Sequence, residues 1–252
     1  MNDDLTFRSA GLTHVGHVRE HNEDAWLARP EIGLWAVADG LGGHARGEVA
    51  SAAIVAALDR LPAPVDAPGH LRAVEGALAA AHAEIQALGE ATGDLCASTV
   101  VVLVAFDRHY AVLWCGDSRV YRLRAGTLER LTRDHSLVQE LVDAGSLSAA
   151  EAESHPMRNR ITRAVGLPGP LELDRAQGEL AGGDLFLLCS DGLTGLIDEA
   201  TTQRLLATDA ADLGAAALVE AALAAGGTDN VTTVLAQAED REKTWPGAAA
   251  WS

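Results

Sequence analysis

Four short acidic motifs border apolar, strand-like runs in this chain: Asp39-Gly40, Gly116-Asp117-Ser118, Ser190-Asp191-Gly192 and Asp229-Asn230. The first three follow the runs 34–38, 110–115 and 185–189, and the fourth precedes the run 231–235, at a strand's start. One Asp-Gly after a strand is ordinary turn chemistry, because Asp bonds its own backbone and Gly tolerates positive φ. Four together indicate one metal site. Carboxylates gathered at a sheet edge repel each other unless divalent cations hold them, and an oxygen-only set suits octahedral Mg²⁺ or Mn²⁺ better than Zn²⁺.

Composition excludes several other chemistries. The only lysine among 252 residues is Lys243, so no P-loop lysine, kinase strand lysine or Schiff-base lysine is at hand. Cys96, Cys115 and Cys189 are followed six residues on by Val102, Tyr121 and Gly195 rather than Arg, so a thiolate phosphatase loop is missing, as is a Gly-x-Ser-x-Gly elbow. No Asp-x-Asp-x-Asp-Gly calcium loop occurs. The net charge of −17, from 19 Lys and Arg against 36 Asp and Glu, argues against nucleic-acid or anionic-membrane surfaces. The N-terminus has no signal-peptide pattern and no apolar run reaches membrane-span length, so a cytoplasmic protein with three free, buried thiols is expected.

The elements that must position the acids read as follows. Strands are expected at 5–13, 24–28 and 34–38, then helices at 48–61 and over the apolar repeat Leu71, Val74, Leu78, Ala81, Ile85, Leu88. The Pro-rich patch 61–68 between those helices reads as a loop. Strands at 97–106, 110–115, 119–124 and 128–131, with a hairpin at Gly126-Thr127, read as an antiparallel meander. Helices follow at 136–144, with Leu137, Leu141 and Val142 inward, and at 148–153, where Ser148 and Glu151 form a capping box. Strands at 171–177 and 185–189, helices at 199–206 and 212–225, and a last strand at 231–238 complete the chain. Hairpins alternating with helices indicate an α+β fold, with mixed sheets covered by helices. No linker divides it, so one domain over 1–240 with a polar tail at 241–252 is expected.

These motifs carry a resemblance. The stretch Thr13 through Asp24 (THVGHVREHNED), then Val37-Ala38-Asp39-Gly40-Leu41-Gly42-Gly43-His44, Gly116-Asp117-Ser118-Arg119, Asp134-His135-Ser136-Leu137, Ser190-Asp191-Gly192-Leu193 and Asp229-Asn230 resemble, in order, the metal-dependent protein phosphatase family, the type 2C or PPM serine/threonine phosphatases. The chain is similar to bacterial stand-alone members over roughly residues 5–238. The resemblance implies a four-layer α-β-β-α sandwich, two antiparallel sheets flanked by helices. It implies that Asp39, Asp191 and Asp229 bind one Mn²⁺ or Mg²⁺, and that Asp39 and the Gly40 carbonyl bind a second, with Asp24 or Glu23 reached through water. Asp117 and Asp191 would form a weaker third position. Phosphorylated Ser/Thr proteins and a cognate Ser/Thr kinase, for example in cell-wall control or type VI secretion, are the implied partners of a monomeric enzyme.

The chemistry fits those residue types. Two adjacent cations lower the pKa of a bridging water, which attacks the phosphomonoester directly, and they neutralise the phosphoryl oxygens. Arg19 is the natural bidentate clamp on phosphate. His44 is the candidate acid for the leaving alkoxide, although Leu41-Gly42-Gly43 separate it from Asp39-Gly40, and a structural role explains it equally. Arg19, Asp39 and His44 are thus the expected catalytic set. His14, His17 and His21 lie on strand and turn, so their rings should not converge on a metal. His135 reads as a structural hydrogen-bonding residue, and Asp134 as one that shapes the loop beside the third metal. The polar segment 146–163 occupies the place of the family's variable flap; its Arg158, Arg160 and Arg163 either meet a phosphopeptide or pair with Glu151 and Glu153. In place of the family's frequent Gly-Thr-Thr the chain has Ala97-Ser98-Thr99, which keeps the hydroxyls. Two other functions use the same residues: a catalytically silent module that binds phosphoproteins, and a hydrolase of small phosphate esters.

Overall fold

The computed structural model describes residues 5–42, 46–153, 155–208 and 211–240. Eleven strands and seven α-helices are described: β1 Leu5–His14, β2 Asp24–Arg29, β3 Leu34–Leu41, α1 Arg46–Asp59, α2 Ala67–Thr92, β4 Ala97–Ser98, β5 Val100–Phe106, β6 His109–Cys115, β7 Arg119–Arg124 and β8 Thr127–Arg130, followed by α3 Leu137–Asp143, α4 Ala149–Glu153, β9 Asp174–Glu179, β10 Leu185–Cys189, α5 Asp191–Thr194, α6 Glu199–Thr208, α7 Ala211–Ala224 and β11 Val231–Asp240. One sheet has the order β1-β11-β10-β7-β8 and the other β2-β3-β5-β6-β9, with β4 also paired to β3. All the strand pairs are antiparallel.

Side-chain alternation makes four layers of these two sheets. Along β3, Leu34, Ala36 and Ala38 pack with Ile54, Leu58, Val74 and Leu78 of α1 and α2, while Trp35 and Val37 face the other sheet. Along β10, Phe186 and Leu188 join that inter-sheet core, whereas Leu185, Leu187 and Cys189 pack with Leu206, Leu218 and Ala222 of the helices beyond. Strands covered on both faces need continuous apolar runs, which explains why 34–38 and 185–189 show no polar alternation. The expected α-β-β-α sandwich is therefore the observed architecture. Among the described residues no helix is long and apolar enough to cross a membrane, and Cys96, Cys115 and Cys189 are buried and unpaired.

Three local expectations need correction. The strands from 97 to 131 do not form one meander: β5 and β6 belong to one sheet, β7 and β8 to the other. The chain changes sheets at Gly116-Asp117-Ser118, where Gly116 has φ +117° and its α-carbon lies so close to Thr99 that a Cβ would fall 2.6 Å from that side chain. Thr99 likewise interrupts the long strand expected at 97–106, because its N–H turns to donate to the Asp39 carbonyl (2.8 Å). Second, Pro68 belongs to α2 rather than to a loop: Asp66 caps the helix by accepting from the Gly69 N–H (2.5 Å), and Pro needs no N–H partner in a first turn. Third, Val138 is the buried residue of α3, while Leu137, Leu141 and Val142 are only half-buried. The capping box of α4 forms as expected, with the Ser148 N–H donating to Glu151 Oε2 at 2.8 Å. The tail 241–252 lies outside the described residues.

Phe186 is fully buried between the sheets, its ring edge-on to Tyr110 at 5.0 Å between centroids. Phe186→Ala should therefore cost about 3–5 kcal/mol of unfolding free energy, read from the urea midpoint at unchanged m-value.

Candidate metal centre

The end of β3 carries Asp39, and the backbone on both sides of it is fixed. The Asp39 N–H donates to Thr99 Oγ1 (3.2 Å), its carbonyl accepts from Ser98 Oγ (2.9 Å), and the Gly40 N–H donates to the Glu23 carbonyl (3.1 Å). Gly40 must be glycine, since a Cβ there would lie 2.3 Å from the Gly47 carbonyl of α1. Thr99 Oγ1 also pairs with Ser118 Oγ at 2.7 Å, tying the Asp39 strand to the turn that presents Asp117.

The other sheet supplies Asp191, at the start of α5, and Asp229, just before β11. They are brought together because Gly192 lies against the Asn230 carbonyl, where a Cβ would stand 1.9 Å away. Asn230 then staples the β1–β2 loop to this corner: its Oδ1 accepts from the Glu23 N–H (2.8 Å) and its Nδ2 donates to the Val15 and His21 carbonyls (2.9 Å each). That loop carries Arg19, whose Nη2 donates to Asp229 Oδ2 at 2.7 Å.

The result is a cleft of about 350 Å³ lined by Arg19, Glu23, Asp39, Asp117, Asp191 and Asp229, with Gly40 and Asn230 beside them. Among the described residues no three such side chains close on a single point; the carboxylates ring the cleft instead. Burial raises the Asp39 carboxyl well above its ordinary range, and the charges of Asp24 and Asp191 push it further. Burial, then Asp191, pushes Asp117 up to about 8. Asp191 rises through burial and the Asp229 charge, offset by a hydrogen bond with Asp39. Arg19 rises chiefly through its bond to Asp229.

Asp24 stands behind the cleft rather than on its lining. It pairs across from Asp39, and its Oδ2 accepts from Thr232 Oγ1 (2.6 Å) and Ser190 Oγ (2.9 Å). Its Oδ1 is buried without a partner, and burial raises the carboxyl to about 7. Glu23, its neighbour, reaches the cleft. The hydroxyl set extends outward, Thr232 to Thr13 (2.7 Å) and Thr13 to Asn22 Nδ2 (2.8 Å), and joins both sheets behind the acids. His44, in the segment 43–45, lies outside the described residues. His14 Nδ1 accepts from the Gly16 N–H, His17 packs edge-on to it, and His21 lies on the cleft lining, so the three do not converge. His135 is structural: its Nδ1 accepts from the Gly116 N–H (3.1 Å) and its ring stacks on Trp114. Asp134 clamps Arg119 at 2.8 Å and also binds Arg130.

The donor set is all oxygen, half-buried and mutually repelling, with an orphaned carboxylate oxygen behind it, and it fits hard divalent cations. Asn230 and the hydroxyls of Ser190, Thr232 and Thr99 are positioning residues that the sequence motifs did not isolate. The polar letters Thr232-Thr233 inside an apolar run were the available signal.

Comparison with known proteins agrees with this geometry. The description Protein phosphatase 2C matches residues 11–236. The serine/threonine protein phosphatase PstP of Mycobacterium tuberculosis is 39% identical over 240 residues, covering 94% of this chain and 46% of PstP, so this chain spans about half the length of that relative. The serine/threonine phosphatase stp of Listeria innocua is 32% identical over 239 residues, covering 89% of this chain and 93% of stp. Among solved structures, PppA, a key regulatory component of T6SS in Pseudomonas aeruginosa, superposes with a TM-score of 0.87 at 41% identity, covering 93% of this chain and all of PppA's (100%). The catalytic domain of PstP in complex with two manganese ions gives 0.86 at 36% identity, covering 94% of this chain and 100% of that one. With the family's description matched over most of its length and the sandwich and acidic cleft in place, the chain belongs to the protein phosphatase 2C family.

Proposed function

We propose that this chain is a metal-dependent serine/threonine phosphoprotein phosphatase that reverses the action of a Ser/Thr kinase. The observation that carries this reading is the convergence of Asp39, Asp117, Asp191 and Asp229 with Arg19 on one cleft. Asp39, Asp191, Asp229 and the Gly40 carbonyl would hold two core Mn²⁺ or Mg²⁺ ions, Glu23 or Asp24 acting through water, and Asp117 with Asp191 a weaker third. When bound, the ions supply an acidified water as nucleophile and positive charge for the phosphoryl oxygens.

The chain's own residues do the rest. Asp39 offers a carboxylate whose backbone is fixed at both peptide groups, so a metal ligand there does not have to be ordered at the moment of binding. Arg19 is half-exposed on a loop stapled by Asn230, and its guanidinium reaches Asp229; the same fork matches two oxygens of a phosphomonoester. With a metal-acidified water as the nucleophile no side chain would need to become phosphorylated, which fits a described cleft lining without cysteine. The third element of the expected catalytic set, His44, is retained here as the candidate proton donor to the leaving hydroxyl.

Two outcomes check this reading. Asp39→Asn and Asp191→Asn should each lower Mn²⁺-supported phosphate release from a phosphothreonine peptide by more than about 10²-fold, the scale of losing one preorganised electrostatic group, with far-UV circular dichroism unchanged. Retention of turnover in either variant would remove that residue from the site. The second concerns the metal-free protein. From the ordinary carboxyl value of 3.8 up to about 7 at Asp24 and about 8 at Asp117, the folded state holds protons that the unfolded chain has released. More protons in the native state mean that stability falls as pH rises through that window. In EDTA the thermal midpoint should thus be lower at pH 8 than at pH 5.5, Asp117→Asn should flatten the slope, and Mn²⁺ should restore the midpoint at pH 8.

A further inference from the structure

The segment between α4 and β9 contains three arginines, and the structure separates them. Arg163 is compensated, lying 3.1 Å from Asp174 and 3.6 Å from Glu172. Arg158 and Arg160 are exposed and have no carboxylate partner among the described residues. Glu151, one candidate partner by sequence, accepts from the Ser148 N–H and Oγ (2.8 and 2.7 Å), and the side chain of the other, Glu153, lies outside the described part of the structure.

These two arginines alternate with residues of the cleft: Asn159 and Ile161 belong to its lining together with Arg19, Asp39 and Asp117. Their backbone is also fixed relative to the acids. The Leu137 N–H donates to the Arg160 carbonyl (2.8 Å), the Thr162 N–H donates to the His135 carbonyl (2.8 Å), and the His135 N–H donates to the Gly116 carbonyl (2.9 Å), next to Asp117. The backbone that carries these two exposed cations is therefore fixed beside the cleft, on a protein whose net charge of −17 repels anions elsewhere.

We propose that Arg158 and Arg160 form an anion-accepting lip that makes the enzyme select phosphopeptides with Asp or Glu flanking the phosphorylated residue. The inference rests on the phosphatase reading and adds the substrate class to it. The phosphoryl group enters among the acids and Arg19, and the chain on either side of it must pass over the rim. A flanking carboxylate then meets a guanidinium that has no internal partner to surrender. A flanking Lys meets like charge instead.

The test compares kcat/KM of the full chain, with Mn²⁺, on three phosphothreonine peptides of one length whose flanking residues are Glu, Ser or Lys, with p-nitrophenyl phosphate as an ester lacking flanks. The wild type should prefer the Glu peptide over the Lys peptide by roughly tenfold at low ionic strength, the scale of two exposed ion pairs, and the ratio should shrink in about 0.5 M salt. The charge-reversed double variant Arg158→Glu/Arg160→Glu should invert the order, an outcome that loss of folding cannot produce. Should that variant not fold, Arg158→Gln/Arg160→Gln should bring the ratio to within about twofold. Turnover of p-nitrophenyl phosphate without a wild-type preference among the peptides, or a preference untouched by the double substitution, overturns the lip and leaves the phosphatase reading intact. If the wild type hydrolyses none of the four esters, the phosphatase reading itself fails and the lip with it.

Discussion

Mutual repulsion among half-buried carboxylates is the constraint on which the arrangement depends. Asp39, Asp117 and Asp191 are all pushed above their ordinary range by burial and by neighbouring carboxylates, and in this structure the cation that faces them is the Arg19 guanidinium, bonded to Asp229. Such a cluster destabilises the fold that contains it unless it is protonated or given cations. Its persistence requires rigid backbone on every side. The near-contacts of Gly40 with Gly47 and of Gly192 with Asn230, closer than any side chain would permit, supply that rigidity.

The sandwich distributes the cluster across its two sheets. Asp39 ends a strand of one sheet, Asp191 and Asp229 border strands of the other, and Asp117 sits in the turn by which the chain passes between them. Neither sheet alone supplies all four of these carboxylates. The inter-sheet core of Trp35, Val37, Phe186, Leu188 and Val234 is therefore what sets the separation of these carboxylates. Behind them, the hydroxyls of Ser190 and Thr232 cross the same seam to Asp24, so the polar end of the seam is bonded while the remainder is apolar.

Much of this was legible in the letters because the strands are buried on both faces. The runs 34–38 and 185–189 are continuously apolar, and the acids that end them mark the sheet rim. What stayed hidden was which sheet a strand joins. The runs at 110–115 and 119–124 look like a hairpin, yet Gly116 at positive φ sends them to different sheets, and periodicity carries no record of that. The division of labour between Glu23 and Asp24 was likewise hidden, since adjacent residues on a strand end point opposite ways and only the hydroxyls of Ser190 and Thr232 decide which one turns inward. Asn230 read as the partner of Asp229 in a motif, whereas its contribution is a set of three hydrogen bonds to the β1–β2 loop and its neighbour Glu23.

On this reading the carboxylates of the cleft work only as a cation site. The most direct measurement follows phosphate release from a phosphothreonine peptide by the wild-type chain, first in EDTA and then as Mn²⁺ is titrated in, with binding recorded calorimetrically on the same sample. Turnover should be absent in EDTA and should rise in step with Mn²⁺ occupancy. Turnover that persists in EDTA, or Mn²⁺ that neither binds nor activates, would contradict the account.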